Sequence, residues 1–193
     1  MPDRSEPQQT RSRDKLDRIL AAAAGLLAEL PYQEVSTRLI AERAGVSVGS
    51  LYRYFPDRDS IAEALLAGWL EDLMNTFRQS DPPSQAGSFV EQAIDTYAEV
   101  FRRVPGFRQV FYAASRSREL ERQQRKSDDD LADLLYDVLT ARYGLAADGL
   151  AARCLVAVRV ADHLVGLAFR DEPDGDRRLL GEAKTMICRY LGA

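Results

Sequence analysis

Reactive and metal-binding side chains are scarce in this sequence. Its 193 residues include two cysteines, Cys154 and Cys188, one histidine, His163, and one tryptophan. The cysteines lack C-x-x-C spacing, and a single histidine leaves too few partners for a structural zinc site. No metal and no cofactor are expected, and the two thiols read as small buried apolar groups of a reduced, cytoplasmic protein, not as a disulfide or redox switch. No apolar run approaches the roughly 18 residues that cross a bilayer. Residues 1–15 hold no apolar stretch of the signal-peptide kind. Secretion and membrane insertion are therefore not expected.

Excess positive charge is missing as well, since 26 basic residues face 30 acidic ones. The distribution matters more than the sum. Residues 1–60 hold nine Lys/Arg and nine Asp/Glu, so the remainder carries the whole negative excess. An acidic body attached to a neutral head can still bind a polyanion locally.

Strand signals are nearly absent, whereas helical periodicity is almost continuous and is broken by Pro, Gly and Asp clusters. The expected fold class is all-α, with about nine helices. Leu16, Ile19, Leu20, Ala23, Leu26, Leu27 and Leu30 recur at three- and four-residue steps, which predicts an amphipathic first helix ended by Pro31. A short second helix is expected over residues 37–44, with Ser36 as its N-cap and Gly45 in the left-handed position at its C-terminus.

The next residues contain G-V-S-V-G, a match to the G-x-S-x-G signature of serine hydrolases centred on Ser47. A nucleophile elbow needs a strand before the serine, and an acid and then a histidine further along the chain. Here a helix precedes Gly45, and the one histidine lies directly beside Asp162. Ser47 instead falls where a hydroxyl caps the first turn of a third short helix. The capping reading is preferred, and no catalytic residue is expected.

Two short helices joined by a three-residue turn make a helix-turn-helix. Steps of about 100° along the third helix place Ser47, Leu51, Tyr54 and Phe55 on one side and Gly49, Ser50, Tyr52 and Arg53 on the other. The second set suits a major groove: Gly49 permits close approach, Ser50 and Tyr52 offer hydroxyls, and Arg53 supplies charge. The alternative is an ordinary solvated helix face.

The run STRLIAERAGVSVGSLYRYFPDRDSI, residues 36–61, resembles the DNA-binding domain of the tetracycline-repressor (TetR) family, and the likeness extends over about residues 14–66. The family pattern is T-x-x-x-I-A, A-G-V-S, then G-S/T-L-Y-x-Y/H-F and a basic residue. The resemblance implies a DNA-contacting set of Thr37, Arg38, Ser47, Val48, Gly49, Ser50, Tyr52, Arg53, Tyr54 and Arg58. Within it, Thr37 and Tyr52 would contact phosphate, Arg38 would read a base, and Val48, Gly49, Ser50 and Arg53 would tune sequence choice. Arg58 stands where the family usually has a phosphate-binding lysine. Pro31 departs from the usual glycine before the tyrosine, which leaves the loop between the first two helices open. Arg11 and Arg13 could reach a minor groove, although a solvated tail is preferred for them.

The expected domains are a disordered arm over 1–13, a helix-turn-helix head over 14–60, and an effector-binding and dimerisation body over 61–193. One such head covers little DNA, so a homodimer reading a palindromic double-stranded operator is expected. Residues 148–170 form a predicted eighth helix that is apolar over much of its circumference, and residues 179–191 add a ninth. The resemblance implies that these two helices pair with their mates in a four-helix bundle. It also implies a pocket for an unidentified small-molecule effector, for which the candidates are Trp69, Phe77, Tyr97, Phe101, Phe107, Phe111, Tyr112 and Asp162. At helical spacing most of these aromatics serve simply as core.

Residues 116–130 hold five basic residues followed by three aspartates, read as a solvated helix start or loop with Asp128, Asp129 and Asp130 at a helix N-terminus. The fourth helix, beginning with Asp57 and Arg58 and ending near Phe77, would carry an effector signal to the head. The function expected is a sequence-specific transcriptional repressor released by its ligand. A DNA-binding regulator controlled by a protein partner, or one without a ligand, is the alternative.

Overall fold

The computed structural model describes residues 6–114 and 117–193, with side chains from Ser12 onward. Among the described residues it is all helical: α1 (Glu6–Glu29), α2 (Thr37–Ala44), α3 (Val48–Tyr52), α4 (Arg58–Gln79), α5 (Ala86–Arg103), α6 (Phe107–Ala114), α7 (Arg118–Ala141), α8 (Leu150–Ala168) and α9 (Arg177–Leu191), with a 3-10 turn at Tyr32–Glu34. They divide into two compact units. The first holds residues up to Gly68 and again 105–120, and the second holds 69–104 and 121–193.

In the first unit α1 packs on α2 and α6, and α2 on α3. Ile19, Ala23 and Leu27 of α1, Ile40 of α2, Leu51 of α3 and Phe107 and Val110 of α6 are buried together in this unit's core. The expected start and stop of α2 hold in detail. Ser36 Oγ accepts from Leu39 N at 3.2 Å, and Gly45 sits at φ 64 with its amide bonded back into α2. Arg18 of α1 donates Nη2 to the carbonyls of Ala44, at 2.5 Å, and Gly45, at 3.0 Å, which supplies partners to the helix end. A Cβ on Gly45 would meet that guanidinium at 2.8 Å, so glycine answers both the left-handed backbone and the close approach.

Three expectations differ from the structure. The arm expected over 1–13 is helical from Glu6 onward, because no breaker separates Pro7, which is tolerated in a first turn, from the rest of α1. Residues 1–5 and the side chain of Arg11 lie outside the description. The boundary expected at 60/61 falls inside α4, a continuous helix, and residues 105–120 return to the first unit. There Gly106 comes so close to α1 that a Cβ would lie 2.7 Å from Leu27 Cβ. Such a return is long-range and leaves no local mark in the sequence. Finally, α7 already runs from Arg118, which puts Asp128, Asp129 and Asp130 in mid-helix. Arg125 pairs with Glu121 one turn earlier at 2.5 Å, so the basic run is helix and not a loop, while Arg116 lies outside the described residues.

In the second unit α8 packs on α9, and α5 on both. Cys154, Val165 and Phe169 are buried, with Ile187 and Leu191 of α9 and Phe89, Ile94 and Phe101 of α5. Asp176 caps α9 by accepting from Arg178 N at 2.8 Å and Leu179 N at 3.2 Å. Lys184 of α9 pairs with Asp95 of α5 at 2.5 Å. Both cysteines are free, Cys154 buried and Cys188 partly so, and burial pushes both thiols up from their ordinary range.

Candidate functional site

Two features stand out, one in each unit. In the first unit, α3 begins at a serine cap: Ser47 Oγ accepts from Ser50 N at 3.1 Å. Leu51 is fully buried beneath the helix, which leaves Val48, Gly49, Tyr52 and Arg53 exposed. The Tyr52 hydroxyl lies 3.2 Å from Thr37 Oγ1, so the first residue of α2 and the last of α3 meet at one surface point. Arg38 is exposed beside them. Around this point a shallow concavity is lined by Gln33, Ser36, Thr37, Tyr52, Asp57 and Arg58, among others. Hydroxyls and two arginines at the edge of a short helix are the chemistry that grips phosphate and base edges.

In the second unit, α4, α5, α7, α8 and α9 surround a cavity of about 100 Å³. Its walls are almost wholly carbon, including Leu70, Leu73, Phe77, Phe89, Val90 and Leu135. At one place four polar side chains gather. The Tyr97 hydroxyl donates to Asp162 Oδ1 at 2.5 Å, and Gln124 Nε2 donates to Asp162 Oδ2 at 2.7 Å. Burial pushes the Asp162 carboxyl up, and these two hydrogen bonds and His163 oppose the shift. Asp128 is half-buried nearby, and burial and then the Asp162 charge raise its carboxyl to about 7. An apolar chamber with a few convergent polar groups is a small-molecule site in form.

Comparison with known proteins decides the class. Residues 84–193 match the family described as tetracyclin repressor-like, C-terminal domain, and residues 19–65 match bacterial regulatory proteins, tetR family. A crystal structure of a TetR-family transcriptional regulator from Streptomyces coelicolor is 34% identical, covers 92% of this chain and 98% of its own, and superposes with a TM-score of 0.70. The chain belongs to the TetR family.

Curated relatives match over shorter stretches. The HTH-type transcriptional repressor KstR2 of Rhodococcus jostii is 38% identical over 61 residues, 32% of this chain and 30% of that repressor. The nucleoid occlusion factor SlmA of Haemophilus ducreyi is 31% identical over 100 residues, 51% of this chain and 50% of that protein. The chain thus spans about a third to a half of the length of these curated relatives. TetR-family membership places it among bacterial regulatory proteins.

The members of the two expected residue sets fall in different places. Thr37, Arg38, Val48, Gly49, Ser50, Tyr52 and Arg53 share the outer side of α2 and α3. Ser47 is exposed but its hydroxyl is committed as the helix cap, and the Tyr54 hydroxyl lies 3.0 Å from Ser12 Oγ of α1. Arg58 is held by its own fold. Its Nη1 donates to Tyr32 O at 2.9 Å and Val35 O at 3.3 Å, and its guanidinium lies over the Tyr32 ring, 4.3 Å from the centroid. The Tyr32 hydroxyl in turn donates to Asp59 Oδ1 at 2.8 Å, and its pKa is pushed up, first by burial and then by that bond.

Of the eight expected effector residues, Phe77, Tyr97 and Asp162 line the cavity. Phe101 is a core residue, 5.3 Å from Phe169 and 5.2 Å from Tyr97 between ring centroids. Phe107, Phe111 and Tyr112 belong to α6 and the first unit, and Trp69 stands outside the lining. Large rings at helical spacing suit a cavity wall, but core packing asks for the same residues. Gln124 and Asp128 were missed. They recur with Leu131 and Leu135 at three- and four-residue steps along α7, a face that shows only once the helix is started at Arg118.

Proposed function

We propose that this TetR-family regulator binds a palindromic operator as a homodimer, represses transcription while bound, and is released when a small molecule fills the cavity of its second unit. The observation that carries the reading is the pairing, in one chain, of a helix-turn-helix with an exposed polar face and an apolar cavity with its own polar cluster. Thr37 and Tyr52 contact phosphate in this account, Arg38 reads a base, and Gly49 brings α3 close to the groove floor. Val48, Ser50 and Arg53 adjust sequence choice. Arg58 acts by bracing the turn that precedes α2.

The dimer forms through α8 and α9, where Val156, Leu167, Met186 and Tyr190 leave large apolar side chains exposed. The protein acts in the cytoplasm, where its DNA is. Helix α4 carries Arg58 at its start and Leu70, Leu73 and Phe77 of the cavity wall nearer its end, so a ligand that shifts this helix alters the head. The required coupling is about 1–3 kcal/mol. Control by a protein partner alone would leave the cavity without a role.

Selection from a random DNA pool at fixed, near-physiological salt tests this reading, with wild type beside Arg38→Ala and Tyr52→Ala. Enrichment of one palindrome by wild type and not by the variants is the expected result. Enrichment of no sequence by wild type refutes it.

A further inference from the structure

We infer that the effector of this cavity is an organic cation, a small amine with an apolar body, whose ammonium group lies between the carboxylates of Asp128 and Asp162. The inference rests on the ligand-binding reading of the cavity and adds the chemical class.

The lining decides the sign of the charge. No Lys, Arg or His is among the residues that line the cavity, and its carboxyl groups are those of Asp128 and Asp162. The Tyr97 hydroxyl proton and one Gln124 amide proton are spent on Asp162. What these walls hold out to a ligand is therefore mainly acceptors and negative charge. Asp162 has one donor on each oxygen and spare lone pairs, while Asp128 receives no hydrogen bond from any described residue.

Three ligand classes meet this arrangement differently. A carboxylate would enter an apolar chamber against two acids with no cation in the wall. A neutral hydrocarbon would drive water from Asp128 and give it nothing in return. An ammonium supplies the missing donors in charge-assisted form, and the rings of Phe77, Phe89 and Tyr97 accept its adjoining carbons or its charge. The surrounding charges are Arg125 and Asp129 on α7, and Arg159 and His163 on α8. Arg159 is itself paired with Asp129 at 3.0 Å. Because burial raises the Asp128 carboxyl to about 7, an ammonium that favours its ionised form binds more tightly at pH 8 than at pH 6.

The test is calorimetric titration of the full-length protein with octylamine, octanol and octanoate, which share one chain and differ in head group. Wild type, Asp128→Asn and Asp162→Asn are compared at pH 8 and one ionic strength. The amine is expected to bind wild type at least tenfold more tightly than the alcohol, with the carboxylate weakest. Asp128→Asn should bring amine and alcohol within about threefold while keeping the alcohol's affinity, which shows that the variant is folded. Alcohol or carboxylate binding as tightly as the amine overturns the inference and leaves the cavity reading standing. An amine preference that survives in both variants overturns it in the same way. Binding of none of the three overturns the cavity reading and the inference together.

Discussion

The hydroxyl of Tyr97 on α5 donates to Oδ1 of Asp162 on α8 at 2.5 Å, tying two helices together at the polar end of an otherwise hydrocarbon cavity. Tyr97→Phe keeps the ring and removes the proton. The variant should lose about 1–3 kcal/mol of stability at neutral pH. Since that bond lowers the Asp162 pKa, its loss raises the pKa further, so the penalty shrinks as the carboxyl becomes protonated. Urea unfolding at pH 4 and pH 7.5 measures both.

Asp128 gives a pH signature of opposite use. Its carboxyl is raised to about 7 in the folded protein, above the ordinary carboxylate value of the unfolded chain. The folded state therefore holds the extra proton, and this group's contribution to stability falls as pH rises from about 4 to 7. Asp128→Asn should be more stable than wild type at pH 8 by on the order of 1 kcal/mol, discounted for partial exposure. The difference should vanish below pH 4. Thermal melts across that range check it.

Gly49 separates binding from stability. A Cβ built there meets nothing within 4 Å, and the residue lies within α3, so Gly49→Ala should be neutral or stabilising by up to about 1 kcal/mol. If α3 closes on a groove at this point, the same variant loses at least tenfold in operator affinity. Unchanged affinity would remove Gly49 from the interface.

Arg58 and Gly45 test the support of the head. Arg58→Ala removes the guanidinium that bonds the carbonyls of Tyr32, Gln33 and Val35 and lies over the Tyr32 ring, and should cost about 1–3 kcal/mol in chemical denaturation. Gly45→Ala forces a side chain onto φ 64 and toward Arg18, and should cost about 1–2 kcal/mol. Both effects should appear without DNA.

Charge on the exposed apolar face of α8 and α9 should break the dimer. Leu167 and Met186 are exposed in the single chain, so Leu167→Asp or Met186→Asp should leave the fold intact and shift the protein toward monomer in sedimentation. Dimers of unchanged strength would move the interface elsewhere.

Local chemistry explains what the sequence made legible. Ser36, Gly45 and Ser47 punctuate the chain by hydrogen bonds and backbone angles that reach only three or four residues, so their roles could be read without coordinates. The cavity depends on contacts between helices far apart in sequence, and aromatic identity alone could not separate Phe77, which lines it, from Phe101 and Phe107, which are core. The place of Arg58 in a motif suggests a phosphate contact, and its bonds to the Tyr32 turn required knowing where that turn lies. Asp128 shares a cavity-facing stripe with Gln124, Leu131 and Leu135, which exists because α7 begins at Arg118 and not at the aspartates themselves.

In the proposed function, two copies of this chain read two half-sites through α2 and α3. The direct measurement is the affinity of wild type for its selected operator, against the same duplex with one half-site scrambled, at one salt concentration with stoichiometry recorded. The account predicts two chains per operator and at least a hundredfold loss on scrambling. Equal affinity for both duplexes, or one chain per operator, would contradict it.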